Sequence, residues 1–124
     1  MNSLEFENTI DLTLIEEGEF ALFKLVVNPD ARLFKGHFPN LPILPGVVML
    51  EMVKRAFEMA EGKKSVLVKA QNMKFLSVIN PIVTPLAYLE LKRKSEEENI
   101  KVDARIFLED KSFFKLKATY KTEE

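Results

Sequence analysis

The chain has 124 residues, enough to bury about two-thirds of its unfolded surface but short for two separate cores. Its 47% hydrophobic and 30% charged residues are ordinary globular proportions, which exclude a disordered or low-complexity polymer. A net charge of -1 (18 Lys and Arg, 19 Asp and Glu) gives no global basic field for nucleic acid, and zero cysteines with one histidine leave no disulfide, thiolate or single-subunit metal chemistry to expect.

Residues 1–124 are expected to form a single domain. The opening Met-Asn-Ser-Leu-Glu-Phe-Glu is acidic, without the basic-then-apolar order of a signal peptide. The apolar run from Val47 is interrupted at Glu51, far below the ~20 residues of a membrane span. A cytoplasmic protein without membrane contact is expected.

Ile10, Leu12 and Leu14 alternate with Asp11 and Thr13, the period of a half-buried strand, and Gly18 allows a turn into a second strand, Phe20 to Val27. From Phe34 to Pro45 three prolines and Gly36 leave no regular element, only a stiff, shaped loop. A helix follows, Val47 to Glu61, with Gly62 as its left-handed cap. Its first half is apolar nearly all round, so the N-terminal end is expected to be the buried one. Extended segments are expected at Ser65–Gln71, Lys74–Ile79, Pro85–Lys92, Asn99–Leu108 and Ser112–Lys121, with a charged loop at Lys94–Glu98. The fold class is α+β: an antiparallel sheet of about six strands wrapped around one long central helix, with edge-to-edge dimerisation expected.

Three residues could carry chemistry. His37 alone titrates near neutrality, and Gly36 and Pro39 flank it so that its ring is held; a general base and a structural histidine both fit. Glu51 is the one charge between Gly46 and Val53, either functional or paired with Arg55 four residues on. Gly46, at the helix start, can aim its N–H at a carbonyl oxygen, or is simply a glycine near a helix start. Phe75, Phe113 and Phe114 are core residues or the lining of an acyl tunnel.

The run Gly36-His37-Phe38-Pro39-Asn40-Leu41-Pro42-Ile43-Leu44-Pro45-Gly46, continuing to Glu51, resembles the active-site segment of the 3-hydroxyacyl-acyl carrier protein dehydratases of bacterial fatty-acid synthesis. The resemblance implies a hot-dog fold in which His37 removes the proton alpha to a thioester, the Gly46 N–H stabilises the enolate-like oxygen, and Glu51 assists departure of the beta hydroxyl. It further implies that His and Glu of one site come from different subunits of a homodimer or a higher multiple of dimers. Phe38, Pro45, Val47 and Phe75 are then the substrate contacts, and an acidic acyl carrier protein is the partner, with Arg32, Lys35 and Lys74 as candidate contacts. No cofactor and no metal are implied. Arg55 stands where such enzymes usually carry glutamine, which suits Glu51 to accept a hydrogen bond rather than donate a proton. Two other classes stay open: an acyl thioesterase, and a non-catalytic acyl-thioester-binding subunit of a synthase complex.

Overall fold

The computed structural model of the chain describes residues 2–35 and 42–123. Along the sequence come α1 (Ser3–Thr9), β1 (Ile10–Glu16), β2 (Phe20–Val27), a 3-10 turn at Arg32–Phe34, α2 (Gly46–Glu61), β3 (Ser65–Phe75), β4 (Leu86–Glu96), β5 (Asn99–Leu108) and β6 (Lys111–Thr122). The strands form one sheet in the order β1-β2-β4-β5-β6-β3, each neighbouring pair antiparallel. After β2 the chain leaves the sheet, crosses its inner face as α2, adds β3 at the far edge, and returns to lay β4 beside β2. Because α2 touches both β1 and β3, the two edge strands, the sheet curls around the helix.

Strand register stacks the inner face into rows. Phe23, Leu89, Ile106, Phe114 and Phe75 lie opposite one another across β2, β4, β5, β6 and β3. The first four are fully buried, whereas Phe75, at the edge, is 55% exposed. The neighbouring row alternates Ala21, Leu91, Ala104 and Leu116, and the small members make room for a helix laid across them. α2 fills that room with Val48, Met49, Met52, Val53, Ala56 and Phe57, the one-three-one-three spacing of a single helical face. Each large side chain so buried stabilises the fold by about 1.5–3 kcal/mol. The helix stops at Gly62, whose φ of 71° is left-handed and whose N–H donates to the Glu58 carbonyl at 2.8 Å.

Four expectations change. Residues 3–9, for which the sequence predicts no element, form α1, capped by the Asn2 side chain accepting from the Glu5 N–H at 2.8 Å. The two strands expected at 65–71 and 74–79 are one strand ending at Phe75; two irregularities in its pairing with β6, at Leu67/Lys69 and Ala70/Asn72, break the alternation that a sequence reading depends on. The Lys94–Glu98 loop shrinks to Glu97–Glu98, since β4 runs on to Glu96. Finally, the N-terminal end of α2 is not enclosed all round: Val47 is 71% exposed, because the buried face begins at Val48.

Candidate active site

Pro45, with extended backbone (φ -63°, ψ 146°), is the residue before the helix, and Gly46 opens α2. The Gly46 N–H therefore belongs to the first turn, where the helix itself supplies no acceptor and the macrodipole is positive. The approach is fixed from outside the helix: Leu44 donates its N–H to the Ile79 carbonyl at 2.9 Å, and both side chains are buried. Phe75 closes over the same spot. A Cβ on residue 46 would lie 2.5 Å from Phe75 Cε1 and 2.9 Å from Cζ, so the ring rests on a position that tolerates only hydrogen. Phe114 supports that ring from the sheet, centroids 5.1 Å apart.

Glu51 is five residues further on, about 7.5 Å along the axis and roughly 140° around it. Its Oε1 accepts from Arg55 Nε at 3.1 Å, the ion pair expected from the four-residue spacing, with the two side chains 35% and 22% exposed. The N-terminal helix adds what the sequence did not reveal. Arg55 also reaches Ser3 Oγ at 3.3 Å and lies over the Phe6 ring, 4.2 Å from its centroid. Its guanidinium is thus held from three sides beside the Glu51 carboxylate.

A buried phenol lies beneath the same helix. Tyr120, on β6, stacks on Phe57 with centroids 4.9 Å apart, and its hydroxyl is buried without a hydrogen-bond partner among the described residues. Burial, then the Glu51 charge and then that of Glu58, push its pKa up to about 12. Glu58 in turn accepts from the Ser65 N–H at 2.5 Å and from Ser65 Oγ at 3.1 Å, pinning the start of β3 to the helix.

Of the expected site residues, the structure brings Gly46, Pro45 and Phe75 together and leaves Val47 exposed beside them. Glu51 is on the same helix but engaged with Arg55. His37 and Phe38 lie outside the described residues. Phe113 and Phe114 are core. Arg32 and Lys35 are exposed around the 3-10 turn, and Lys74 is exposed next to Phe75. A cleft of about 780 Å³ opens at the other end of α2, between its last turns, α1 and β1, where Phe6, Ile10 and Met59 meet the charges of Arg55, Glu58 and Lys63. It contains Gly62 and Arg55, the ion-pair partner of Glu51, but not Gly46, so it lies away from the helix start. Among the described residues no group of three or more acidic or histidine side chains is placed to hold a metal, and no helix is long and apolar enough to cross a membrane.

A curled antiparallel sheet holding one long helix defines the α+β hot-dog fold, and known proteins agree. The chain matches 90% of its length to 98% of a chain in the dehydratase heterocomplex ApeI:P from Xenorhabdus doucetiae, with a TM-score of 0.67 and 20% identity. It likewise matches the PaaI protein from the E. coli phenylacetic acid degradation operon over 99% of this chain and 86% of that one, with a TM-score of 0.68 and 15% identity. Residues 14–114 match the ApeI-like family, described as ApeI dehydratase, and the chain belongs to that family. Among curated relatives, it is 32% identical over 74 residues to the 3-hydroxyacyl-acyl-carrier-protein dehydratase FabZ of Clostridium acetobutylicum, covering 54% of this chain and 52% of the relative. It is 29% identical over 105 residues to the FabZ of Lactobacillus helveticus, covering 78% and 70%. In the first of these the matched region spans about half of the relative's length.

Proposed function

We propose that the chain, acting as one domain in the cytoplasm, dehydrates 3-hydroxyacyl thioesters carried on acyl carrier protein to trans-2-enoyl thioesters, and runs the reverse hydration. The observation that carries this reading is the bare Gly46 at the start of α2, roofed by Phe75 within an ApeI-like dehydratase-family fold. A thioester carbonyl placed there meets an N–H that has no acceptor among the described residues, at the positive end of a helix, where charge developing on oxygen is stabilised. His37 takes the proton from the alpha carbon, and the electron pair of that C–H bond becomes the new double bond as the beta C–O bond breaks. His37 returns the proton it took from the alpha carbon to the departing hydroxide, which leaves as water while donating a hydrogen bond to the Glu51 carboxylate.

Glu51 and Gly46 of one chain face different sides of α2, which fits a site whose His and Glu come from two subunits. The surface of β3 supports a homodimer. It is an edge strand of 11 residues, and Val66, Val68, Met73 and Phe75 along it are 41–55% exposed, a pattern that pairing with a second copy would cover. A second reading, an acyl-thioester-binding subunit without turnover, draws on the three-sided hold on Arg55, which keeps Glu51 occupied.

The reaction is tested by supplying a 3-hydroxyacyl thioester and following both the conjugated ultraviolet band and free thiol. Growth of the band without thiol is expected. Thiol release without the band would make the chain a thioesterase, and binding with neither would make it a non-catalytic subunit.

A further inference from the structure

The outer face of the sheet segregates charge in a way that neither the fold nor the candidate chemistry needs. Read from the strand registers, the outward positions of β3, β4, β5 and β6 hold nine of the chain's 18 basic residues but only three of its 19 acidic ones, Glu90, Glu96 and Asp103. That leaves +6 on this face and -7 on the rest, which together give the chain's -1. One row is unusual. Arg105 of β5, Lys115 of β6 and Lys74 of β3 lie directly opposite one another, three cations abreast on adjacent strands about 4.8 Å apart. Only Arg105 has a carboxylate, Glu90 at 3.1 Å; Lys115 and Lys74 have none within 4 Å among the described residues, nor does Lys117 in the next row. Like charges directly opposite destabilise a sheet, so Lys115 beside Lys74 costs stability; Glu90 opposite Arg105 and Asp103 opposite Lys117 offset it only from the β4–β5 side.

We propose that this row, with Lys117 beside it, is the docking surface for an acidic protein that delivers the acyl thioester, an inference that rests on the dehydratase reading for the cargo but not for the docking. Position favours it: Lys74 points outward one residue before Phe75, whose ring faces Gly46, so the row ends at the sheet edge bordering the candidate site. Charge distribution selects a protein over a bilayer or nucleic acid. Three carboxylates interrupt the face, and a net -7 elsewhere repels an extended anionic surface while sparing a partner with a local acidic patch. Phe107, the outward aromatic nearest the row, is half-buried under the Arg105 guanidinium, 4.2 Å from its ring centroid, and is not free to enter lipid.

The test is a titration of the full chain with holo acyl carrier protein at low and high salt, comparing wild type, Lys115→Thr/Lys117→Thr, and Arg32→Ser/Lys35→Ser. The Lys115/Lys117 variant is expected to bind about tenfold more weakly at low salt, and to melt no lower than wild type because repulsion is relieved. It should also keep wild-type turnover on a short pantetheine thioester while losing it on the carrier-borne one. Unchanged affinity in that variant, loss only in the Arg32/Lys35 variant, or equal Lys115-dependent binding to phosphatidylglycerol vesicles would overturn the proposal. If neither substrate turns over yet carrier binding still depends on Lys115 and Lys117, the dehydratase reading falls and the docking surface stands.

Discussion

The Phe75 ring occupies the space that a side chain on residue 46 would need, with Cε1 2.5 Å from where that Cβ would be. The contact joins the last residue of β3 to the first of α2, so the edge of the sheet and the mouth of the helix are set together. Gly46→Ala should push the ring off the helix start. Because Phe75 is half exposed and can swing, the expected stability loss is only about 1 kcal/mol, while turnover falls sharply as the N–H loses its roof. Replacing Phe75 by alanine in the same chain should recover the stability but not the turnover, and a double-mutant cycle on melting and rate reads both.

Tyr120 gives a pH dependence with a definite sign. Its folded pKa, pushed up to about 12 by burial and the Glu51 and Glu58 charges, lies above the unfolded value of 10.0. Below pH 10 both states hold the proton and the term is constant. Between pH 10 and 12 the unfolded chain releases its proton and the folded one does not, so stability falls by about 2–3 kcal/mol across that window. Tyr120→Phe should remove this part of the alkaline loss, and near neutrality should cost little because the buried hydroxyl has no partner among the described residues to lose. Urea unfolding of both proteins from pH 7 to 11.5 checks it; parallel curves would contradict the assignment.

Arg55 ties Glu51 to α1. With Arg55→Gln, the ion pair and the stacking on Phe6 are both lost, a cost of about 1 kcal/mol. Amide exchange in residues 3–9 should accelerate, and a Glu51 released from the guanidinium should raise turnover slightly, by no more than the small share of the rate that Glu51→Gln removes. Unchanged turnover with accelerated exchange would make Arg55 a purely structural clamp for α1.

Both two-residue hairpins begin with a glutamate at positive φ, Glu97 at 57° and Glu109 at 53°. A left-handed backbone favours glycine or asparagine at such positions. Glu97→Asn and Glu109→Asn should each stabilise the chain by roughly 0.5 kcal/mol with turnover unchanged, measured as a shift in the urea midpoint.

Where local periodicity met a simple environment, the sequence was a sufficient guide. β2 occupies its apolar run Phe20–Val27, β5 the residues its alternation specifies, and α2 ends at Gly62 as its left-handed cap requires. The sequence suggests two strands where β3 is one, because the pairing irregularities of β3 break its period. α1 had a legible cap, Asn2 three residues before Glu5, but only seven residues to follow it. The pairing of Glu51 with Arg55 was readable from spacing. Phe75 over Gly46, and Tyr120 beneath Glu51, were not, because both depend on which strand lands at the edge and which lies under the helix. Likewise, the three opposed cations sit on strands far apart in sequence and meet only through register.

The division of labour between His37 and Glu51 is the claim on which the mechanism turns. The most direct measurement adds a trans-2-enoyl thioester and follows loss of its ultraviolet band in wild type, His37→Ala and Glu51→Gln. Hydration by wild type, none by His37→Ala and most of the rate kept by Glu51→Gln is the expected result. A His37→Ala protein that hydrates at the wild-type rate would contradict the account.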